Sequence, residues 1–364
     1  MKVLVTGSSG FIGKHMCLAL ERAGHIVLSF DKRNTEEELV NHIKECEYII
    51  HLAGINRPLT SKEFFDGNTN FTIRLVELVK QYNPNVPFIM SSSIQAELDN
   101  DYGKSKKMAE DYLFDSGLPV YIYRLKNVFG KWCKPNYNSV CATFCYNTAH
   151  DIPVSIRDTD YIVHFNYIDD ICDAFLSHIS KDERTGSKDI LYISKSYDCS
   201  LGNLAALLAS YKAIVESDLH LPFLHSEFEL KLFITFLDYL KDDKFKYNHA
   251  SDERGSFTEL YKNNKYGQIS INMIYPGVTK GGHYHTYKDE MFYTVIGKSL
   301  IRQRNIKTNE MIVNEVSGKN PQRVKLIPYY THDIKNIGES ISYTLMWISE
   351  IYSDKTPDTY KEEV

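Results

Sequence analysis

The stretch Lys2-Val3-Leu4-Val5-Thr6-Gly7-Ser8-Ser9-Gly10-Phe11-Ile12-Gly13 decides the fold. A short apolar run enters glycines at positions 7, 10 and 13, and an amphipathic helical stretch continues from about Gly13 to Ala23. A strand that turns sharply into a helix needs glycine in three places: where the chain tightens, where backbone approaches a pyrophosphate, and where helix packs on strand. The helix N-terminus adds N–H groups and a positive dipole. The spacing, i, i+3 and i+6, departs from G-x-G-x-x-G. It predicts a dinucleotide loop built from Gly7, Ser9, Gly10, Phe11, Ile12 and Gly13.

Outward from this loop the alternation continues. Ile26–Phe30 reads as a strand, Glu36–Cys46 as a helix, Tyr48–Leu52 as a strand and Thr72–Tyr82 as a long helix. Pro87-Phe88-Ile89-Met90 then leads into Ser91-Ser92-Ser93. This pattern predicts an α/β domain with a doubly wound parallel sheet, covered on both faces and joined by right-handed crossovers. From about Ser217 the pattern becomes irregular, with a helical stretch through Phe236-Leu237-Asp238-Tyr239-Leu240 and then the charged segment Lys241-Asp242-Asp243-Lys244. We place a boundary there, giving domains 1–243 and 244–364. Beyond Asp252, short runs such as Gln268–Asn272 and Phe292–Ile296 alternate with Gly, Pro and Asn turns, which predicts an all-β sandwich or barrel.

Composition narrows the function. With 42 Lys+Arg against 47 Asp+Glu, a net charge of -5 over 364 residues and 43% hydrophobic residues, disorder and a polybasic nucleic-acid binder are excluded. No apolar run is long enough to span a membrane, and the N-terminus enters its glycine turn too early for a secretory signal, so we expect a cytoplasmic protein without membrane insertion. The 7 cysteines are odd in number and include no Cys-x-x-Cys pair, which fits reduced packing residues.

Two clusters carry chemistry in the first half. Asp31 ends the second strand, where a carboxylate can take ribose hydroxyls, and Lys32 and Arg33 follow it. Basic residues there favour a 2'-phosphate and hence NADP, while Asp31 keeps NAD open. Tyr102 and Lys106 stand at i and i+4, on one face of a helix. A neighbouring ammonium favours the phenolate, so such a pair suits proton donation near neutral pH. The serine run upstream could supply a hydroxyl to a carbonyl beside the phenol.

These residues resemble the extended short-chain dehydrogenase/reductase family of nucleotide-sugar enzymes. The resemblance also rests on His51-Leu52-Ala53-Gly54, on Asn68 before a helix, on Arg124-Leu125-Lys126-Asn127-Val128-Phe129-Gly130, and on Asn166-Tyr167-Ile168-Asp169-Asp170-Ile171. It implies a Rossmann-type fold, with Leu52, Ala53 and Gly54 lining the cofactor. Tyr102 would be the proton donor, Lys106 would hold the nicotinamide ribose, and Ser93, with Ser92 in reserve, would bind the substrate carbonyl. Lys126 and Asn127 would face the substrate. The usual arginine before the T-Y-V-D-D-V-like run is replaced by His164-Phe165, so diphosphate binding must draw on others: Lys134, Asn138 and Arg157 are candidates.

A third cluster stands in the β-rich half. Gly277 is followed by His283-Tyr284-His285, then Glu290, then Gly297. His-x-His on a strand puts both imidazoles on one face, Glu290 on the next strand can close the set, and His332 can add a fourth ligand. Three imidazoles and a carboxylate suit a divalent metal such as Zn, Fe, Mn or Ni. The spacing resembles the first motif of the cupin family, a jelly-roll fold, and Pro328-Tyr329-Tyr330-Thr331-His332 with Asn336 resembles the second, without its glycine. Asp252-Glu253-Arg254-Gly255-Ser256-Phe257-Thr258-Glu259 is similar to a stretch of cupin sugar-nucleotide 3,5-epimerases, which implies substrate contacts for Arg254 and Glu259.

A reductase followed by an epimerase-like cupin resembles the bifunctional enzymes of capsular polysaccharide biosynthesis. Also specific to it are Phe129–Val140 and the closing Pro357-Asp358-Thr359-Tyr360. The resemblance implies a UDP-2-acetamido-2,6-dideoxy-4-hexulose substrate, epimerised at C3 by the cupin and reduced at C4 with NADPH. The product would be UDP-2-acetamido-2,6-dideoxy-L-talose, on the N-acetyl-L-fucosamine route. It also implies a homodimer and zinc as the metal. Two alternatives stay open. The first half could be a 4-epimerase or a dehydratase, although dehydratases of the family need an acidic residue where Ile94 follows Ser93. The cupin could be a non-catalytic module for binding or dimerisation.

Overall fold

The computed structural model describes residues 1–217, 221–240, 248–353 and 357–364. Two compact units are present: Met1–Leu208 with Ser226–Leu240, and Ala209–His225 with Lys241–Val364. The boundary expected between residues 243 and 244 falls within 241–247, outside the described residues.

In the first unit, β1 (Lys2–Thr6), β2 (Ile26–Phe30), β3 (Tyr48–His51), β4 (Phe88–Ser93) and β5 (Val120–Leu125) form a parallel sheet in the order β2-β1-β3-β4-β5. The helices α1 (Phe11–Arg22), α2 (Glu36–Glu45), α3 (Ser61–Phe64), α4 (Phe71–Tyr82) and α5 (Asp101–Phe114) lie between them in the chain. Because side chains alternate along a strand, Leu4 packs on one face with Ile49, Phe88 and Ile122, against Leu39 of α2, Val79 of α4 and Leu113 of α5. Thr35 and Glu38 form a capping box that starts α2, which contributes about 1 kcal/mol. The chain leaves β1 toward β2 on one side, and β3 pairs on the other. This topological switch opens a crevice at the carboxyl end of β1, where the glycine loop sits.

A six-residue π-helical turn, Phe65–Asn70, joins α3 to α4. Such turns are rare and concentrate at functional sites. Later come α6 (Val140–Ala149), α7 (Ile168–Ser180), α8 (Leu201–Glu216) and α9 (Glu227–Leu237), with a small sheet of β6 (Asn127–Phe129), β7 (Ile162–Tyr167) and β8 (Tyr197–Ser200). The helix expected to run through Leu240 stops at Leu237. The residues after it are committed elsewhere: Asp238 accepts the Trp132 N–H at 2.8 Å, and the Tyr239 hydroxyl donates to the Cys133 carbonyl at 2.5 Å.

The second unit is antiparallel. Its strands are β9 (His249–Asp252), β10 (Gly255–Asn263), β11 (Gly267–Ile274), β12 (Thr279–Tyr284), β13 (Glu290–Ile296), β14 (Lys298–Asn305), β15 (Met311–Ser317), β16 (Arg323–Leu326), β17 (Tyr330–Asn336), β18 (Ser342–Ile348) and β19 (Tyr360–Lys361). They form two sheets, β16-β13-β18-β11-β10-β9 and β15-β14-β17-β12-β19. Ile274, Phe292, Ile301, Val324, Leu326 and Ile334 make the apolar core between them. Along β11, however, Gln268, Ser270 and Asn272 are buried at alternate positions, so part of the interior is polar. A buried polar side chain is costly without a partner, and this face is where chemistry is expected.

Candidate active site and metal centre

The glycine loop is built as its spacing predicts. Gly7 has φ 70°, and a Cβ there would lie 2.7 Å from the Ala53 nitrogen, while one on Gly13 would lie 2.1 Å from the Gly7 carbonyl oxygen. Only glycine allows the strand end, the helix start and the Leu52-Ala53-Gly54 segment to approach so closely. Gly10 caps α1 with no side-chain bond to the first-turn N–H groups, which leaves them for an anion. Beside the loop, a cavity of about 800 Å³ is lined by Ser9, Lys14, Asp31, Arg33 and Trp132 among others. The cradle therefore fits a dinucleotide.

Asp31 is buried and gripped by Arg33, with Nε to Oδ1 at 3.0 Å and Nη2 to Oδ2 at 2.5 Å. These bonds, the Arg33 N–H and the Ser9 hydroxyl hold the carboxyl well below the usual range. Lys32 is exposed and does not line the cavity. Lys14, on α1, takes that place and was not singled out by the sequence, because no motif marks the residue after the third glycine.

Ser93, Tyr102 and Lys106 converge at the carboxyl end of β4. Of the three serines, Ser93 is the one whose hydroxyl acts on the Tyr102 phenol, and it accepts the Gln95 N–H at 3.2 Å; Ser91 Oγ donates to the His51 carbonyl at 3.4 Å and Ser92 Oγ to Glu110 at 2.5 Å. Burial raises the Tyr102 pKa, opposed by the Ser93 bond. The expected lowering by the Lys106 ammonium does not act on the phenol; Lys106 Nζ donates instead to the Ser91 carbonyl at 3.0 Å. Lys106 is itself buried, and its pKa is pulled down to about 8, with Glu110 acting in the opposite direction. Nearby, Asn68 in the π-helical turn accepts the Ile55 N–H at 2.8 Å and donates to Ser105 Oγ at 3.0 Å, tying that turn to α5. His51 bridges Thr6 and Thr72, and burial lowers its pKa to about 3, so it stays neutral.

The expected substrate contacts are more scattered. Lys126 Nζ donates to Ser196 Oγ at 3.0 Å and Asn127 Nδ2 to the His164 carbonyl at 3.2 Å. Lys134, Asn138 and Arg157 are exposed. In the second unit, Arg254 pairs with Asp252 at 2.6 Å and lines a cavity of about 290 Å³. Glu259 does not line that cavity; it pairs with Lys262 of the same strand at 2.5 Å.

The four expected metal ligands meet. One donor atom from each of His283, His285, Glu290 and His332 lies within 4.8 Å of the others. His283 is in β12 opposite His332 in β17, but His285 falls just past the strand end, so alternation alone does not place both rings. Instead, Asp358 positions the second. Its carbonyl accepts from His285 Nδ1, and its carboxylate accepts the N–H groups of Thr286, Tyr287 and Lys288 at 2.9 to 3.1 Å. Nε2 of His285 and Nε2 of His332 are buried and face the Glu290 carboxylate at 3.4 and 3.2 Å without the geometry of a hydrogen bond, so nitrogen and oxygen donors point into one small space, as ligands around a cation do. The donor set and these converging atoms fit a divalent metal. Tyr329, at φ 65°, makes the turn where the motif carries glycine, and its N–H donates to the His285 carbonyl at 2.7 Å.

A register shift between Gly281 and His283 also turns Lys280 inward, since its pair on β17 is the core residue Ile334. Lys280 Nζ donates to Asn272 Oδ1 at 3.2 Å and to the Met273 carbonyl at 3.3 Å, in the cavity that Arg254 lines, and burial lowers its pKa. No spacing rule reveals it, because a bulge breaks the period of two.

Comparison with known proteins agrees with this arrangement. Residues 3–194 match the NAD dependent epimerase/dehydratase family, and residues 250–360 match the polysaccharide biosynthesis C-terminal domain. The chain is thus an extended short-chain dehydrogenase/reductase joined to a second, β-rich domain. It is 39% identical, over 99% of its length and 98% of the relative's, to UDP-2-acetamido-2,6-beta-L-arabino-hexul-4-ose reductase of Pseudomonas aeruginosa. The crystal structure of the capsular polysaccharide assembling protein CapF from Staphylococcus aureus superposes with a TM-score of 0.86 at 36% identity, covering 100% of both chains. A UDP-glucuronic acid 4-epimerase from Bacillus cereus, solved with NAD, shares the fold at 20% identity and TM-score 0.52 over 58% of this chain and 83% of that one. This chain belongs to the CapF-type family of nucleotide-sugar reductase/epimerase enzymes of capsular polysaccharide biosynthesis. Among the described residues, no helix is long and apolar enough to cross a membrane.

Proposed function

We propose that the chain performs two successive steps on UDP-2-acetamido-2,6-dideoxy-4-hexulose: inversion at C3 in the second unit, then reduction of the C4 ketone in the first. The product is UDP-2-acetamido-2,6-dideoxy-L-talose. The observation that carries the reading is the pairing, in one chain, of the Ser93–Tyr102–Lys106 cluster with a β-rich domain that holds both a four-residue ligand set and an Arg254–Lys280 cavity.

A bound NADPH supplies the hydride for C4. Ser93 would donate to the carbonyl oxygen, Tyr102 would give that oxygen its proton as negative charge develops, and Lys106 would hold the nicotinamide ribose. NADP would be preferred because Lys14 and Arg33 both line the cavity beside the glycine loop, and Asp31, already paired with Arg33, would be a poor partner for a free 2'-hydroxyl.

At the second site, the C4 ketone acidifies the C3 proton, so a base and a group that stabilises the enolate oxygen suffice. His283, His285, Glu290 and His332 would hold a divalent ion, which would supply a fixed positive charge there. These four side chains also fill a tetrahedral ion, and that feature favours a second reading in which the centre only stabilises the barrel. Homodimerisation is part of the same proposal and is checked by light scattering.

The test is to supply the purified 4-keto sugar nucleotide with NADPH or NADH and to determine the product by NMR. The reading expects the C3-inverted, C4-reduced sugar and a higher kcat/KM with NADPH. A product reduced at C4 with C3 unchanged would leave a simple reductase, and equal kcat/KM with the two cofactors would overturn the NADP assignment.

A further inference from the structure

Behind the Ser93–Tyr102–Lys106 cluster stands a buried ion pair that no motif reading used. Tyr102, Lys106 and Glu110 occupy successive turns of α5, at i, i+4 and i+8, and so form one stripe facing the end of β4. Glu110 is fully buried. It is held by Arg124 of β5, with Nε to Oε1 at 3.0 Å and Nη2 to Oε2 at 2.7 Å. Glu110 Oε1 also accepts from Ser92 Oγ at 2.5 Å. The remaining Arg124 nitrogen, Nη1, reaches Glu97 at 2.6 Å, and Glu97 ends the 3₁₀ turn, Ile94–Glu97, whose N-cap is Ser93.

Arg124 therefore touches both flanks of Ser93: Ser92 through Glu110 on one side, and the turn that follows Ser93 on the other. In the parallel β4–β5 register Ser92 is directly opposite Arg124. A buried ion pair contributes little net stability compared with an apolar pair of similar volume, so its place beside three reacting groups calls for another use. A planar guanidinium with five donors can bind two carboxylates in fixed directions, which a lysine cannot.

We propose that Glu110 and Arg124 are positioning residues for carbonyl reduction, setting Ser93 against Tyr102 and placing a carboxylate one helical turn from the Lys106 ammonium. The inference rests on the reductase reading of the first unit. Its electrostatic part can be followed from the groups around Lys106. His51 of β3 is neutral, the Ser91 carbonyl of β4 accepts from Nζ, Asn68 of the π-helical turn is an amide, and Tyr102 on the same helix is a phenol. Glu110, partly offset by Arg124, is the charge that works against the lowering of Lys106 by burial.

The test is the pH dependence of NADPH oxidation with the 4-keto sugar nucleotide. For Glu110→Gln the alkaline limb of kcat should move to lower pH by about one unit, because Lys106 loses its raising partner. Ser92→Ala, which removes a hydroxyl and no charge, should lower kcat about tenfold, with KM and the limb unchanged. Glu110→Asp should restore the position of the limb but not kcat. A purely structural pair would lower the melting temperature and the active fraction without moving the limb. That result, or a Ser92→Ala enzyme with wild-type kcat, overturns the proposal, and the Ser92→Ala arm decides the positioning role if Glu110→Gln does not fold. Wild-type enzyme that reduces no 4-keto sugar would instead sink the reductase reading on which the inference stands.

Discussion

At the residue scale, the groups that matter are buried polar atoms whose partners are few and directed. Tyr102 lies one turn from Lys106, so replacing it by Phe removes the proposed proton donor and little packing. We expect Tyr102→Phe to lower kcat for C4 reduction by about 10²- to 10⁴-fold, measured as single-turnover oxidation of NADPH. Lys106 gives a second prediction. Its folded pKa, about 8, lies below the ordinary lysine value of 10.5. Between those values the unfolded chain binds more protons, so wild-type stability rises with pH across the window. Relative to Lys106→Met, the unfolding free energy of the wild type should rise by about 3 kcal/mol between pH 8 and pH 10.5, and urea titrations at several pH values would show it. A difference that stays flat over that range would mean that Lys106 is not desolvated in solution.

At the scale of elements, legibility followed periodicity. β1 and its glycines, the Tyr102–Lys106 face of α5 and the runs that became β11 and β13 were all readable, because each is a local pattern with a fixed repeat. What stayed hidden depended on irregularity or on distant partners. Lys280 faces inward only because of a bulge, and Arg124 finds Glu110 across a strand and a helix. His285 lies beyond its strand and is aimed by Asp358, a residue 73 positions away. The closing Pro357-Asp358-Thr359-Tyr360 stretch was recognisable, but not that its carboxylate collects three backbone N–H groups of the loop after His285. Asp358→Ala should therefore weaken metal affinity by about 10- to 100-fold while leaving the four ligands in place, read out by competition with a chromophoric chelator. Unchanged affinity would show that the loop holds His285 without Asp358.

At the scale of the whole molecule, the proposed function puts two chemistries on one ketone, which would explain why the two folds share a chain. In that proposal the carbonyl that acidifies C3 is the one that later accepts hydride, which fixes the order of steps: once C4 is reduced, C3 can no longer be inverted by this route. Each unit carries its own site, and each should be disabled separately. The most direct measurement is to incubate Tyr102→Phe with the 4-keto sugar nucleotide in D2O, without cofactor, and follow C3 by NMR. The account predicts deuterium at C3, and its loss on His283→Ala in a variant whose circular dichroism matches the wild type; no deuterium in the Tyr102→Phe sample would contradict an epimerase in the second unit.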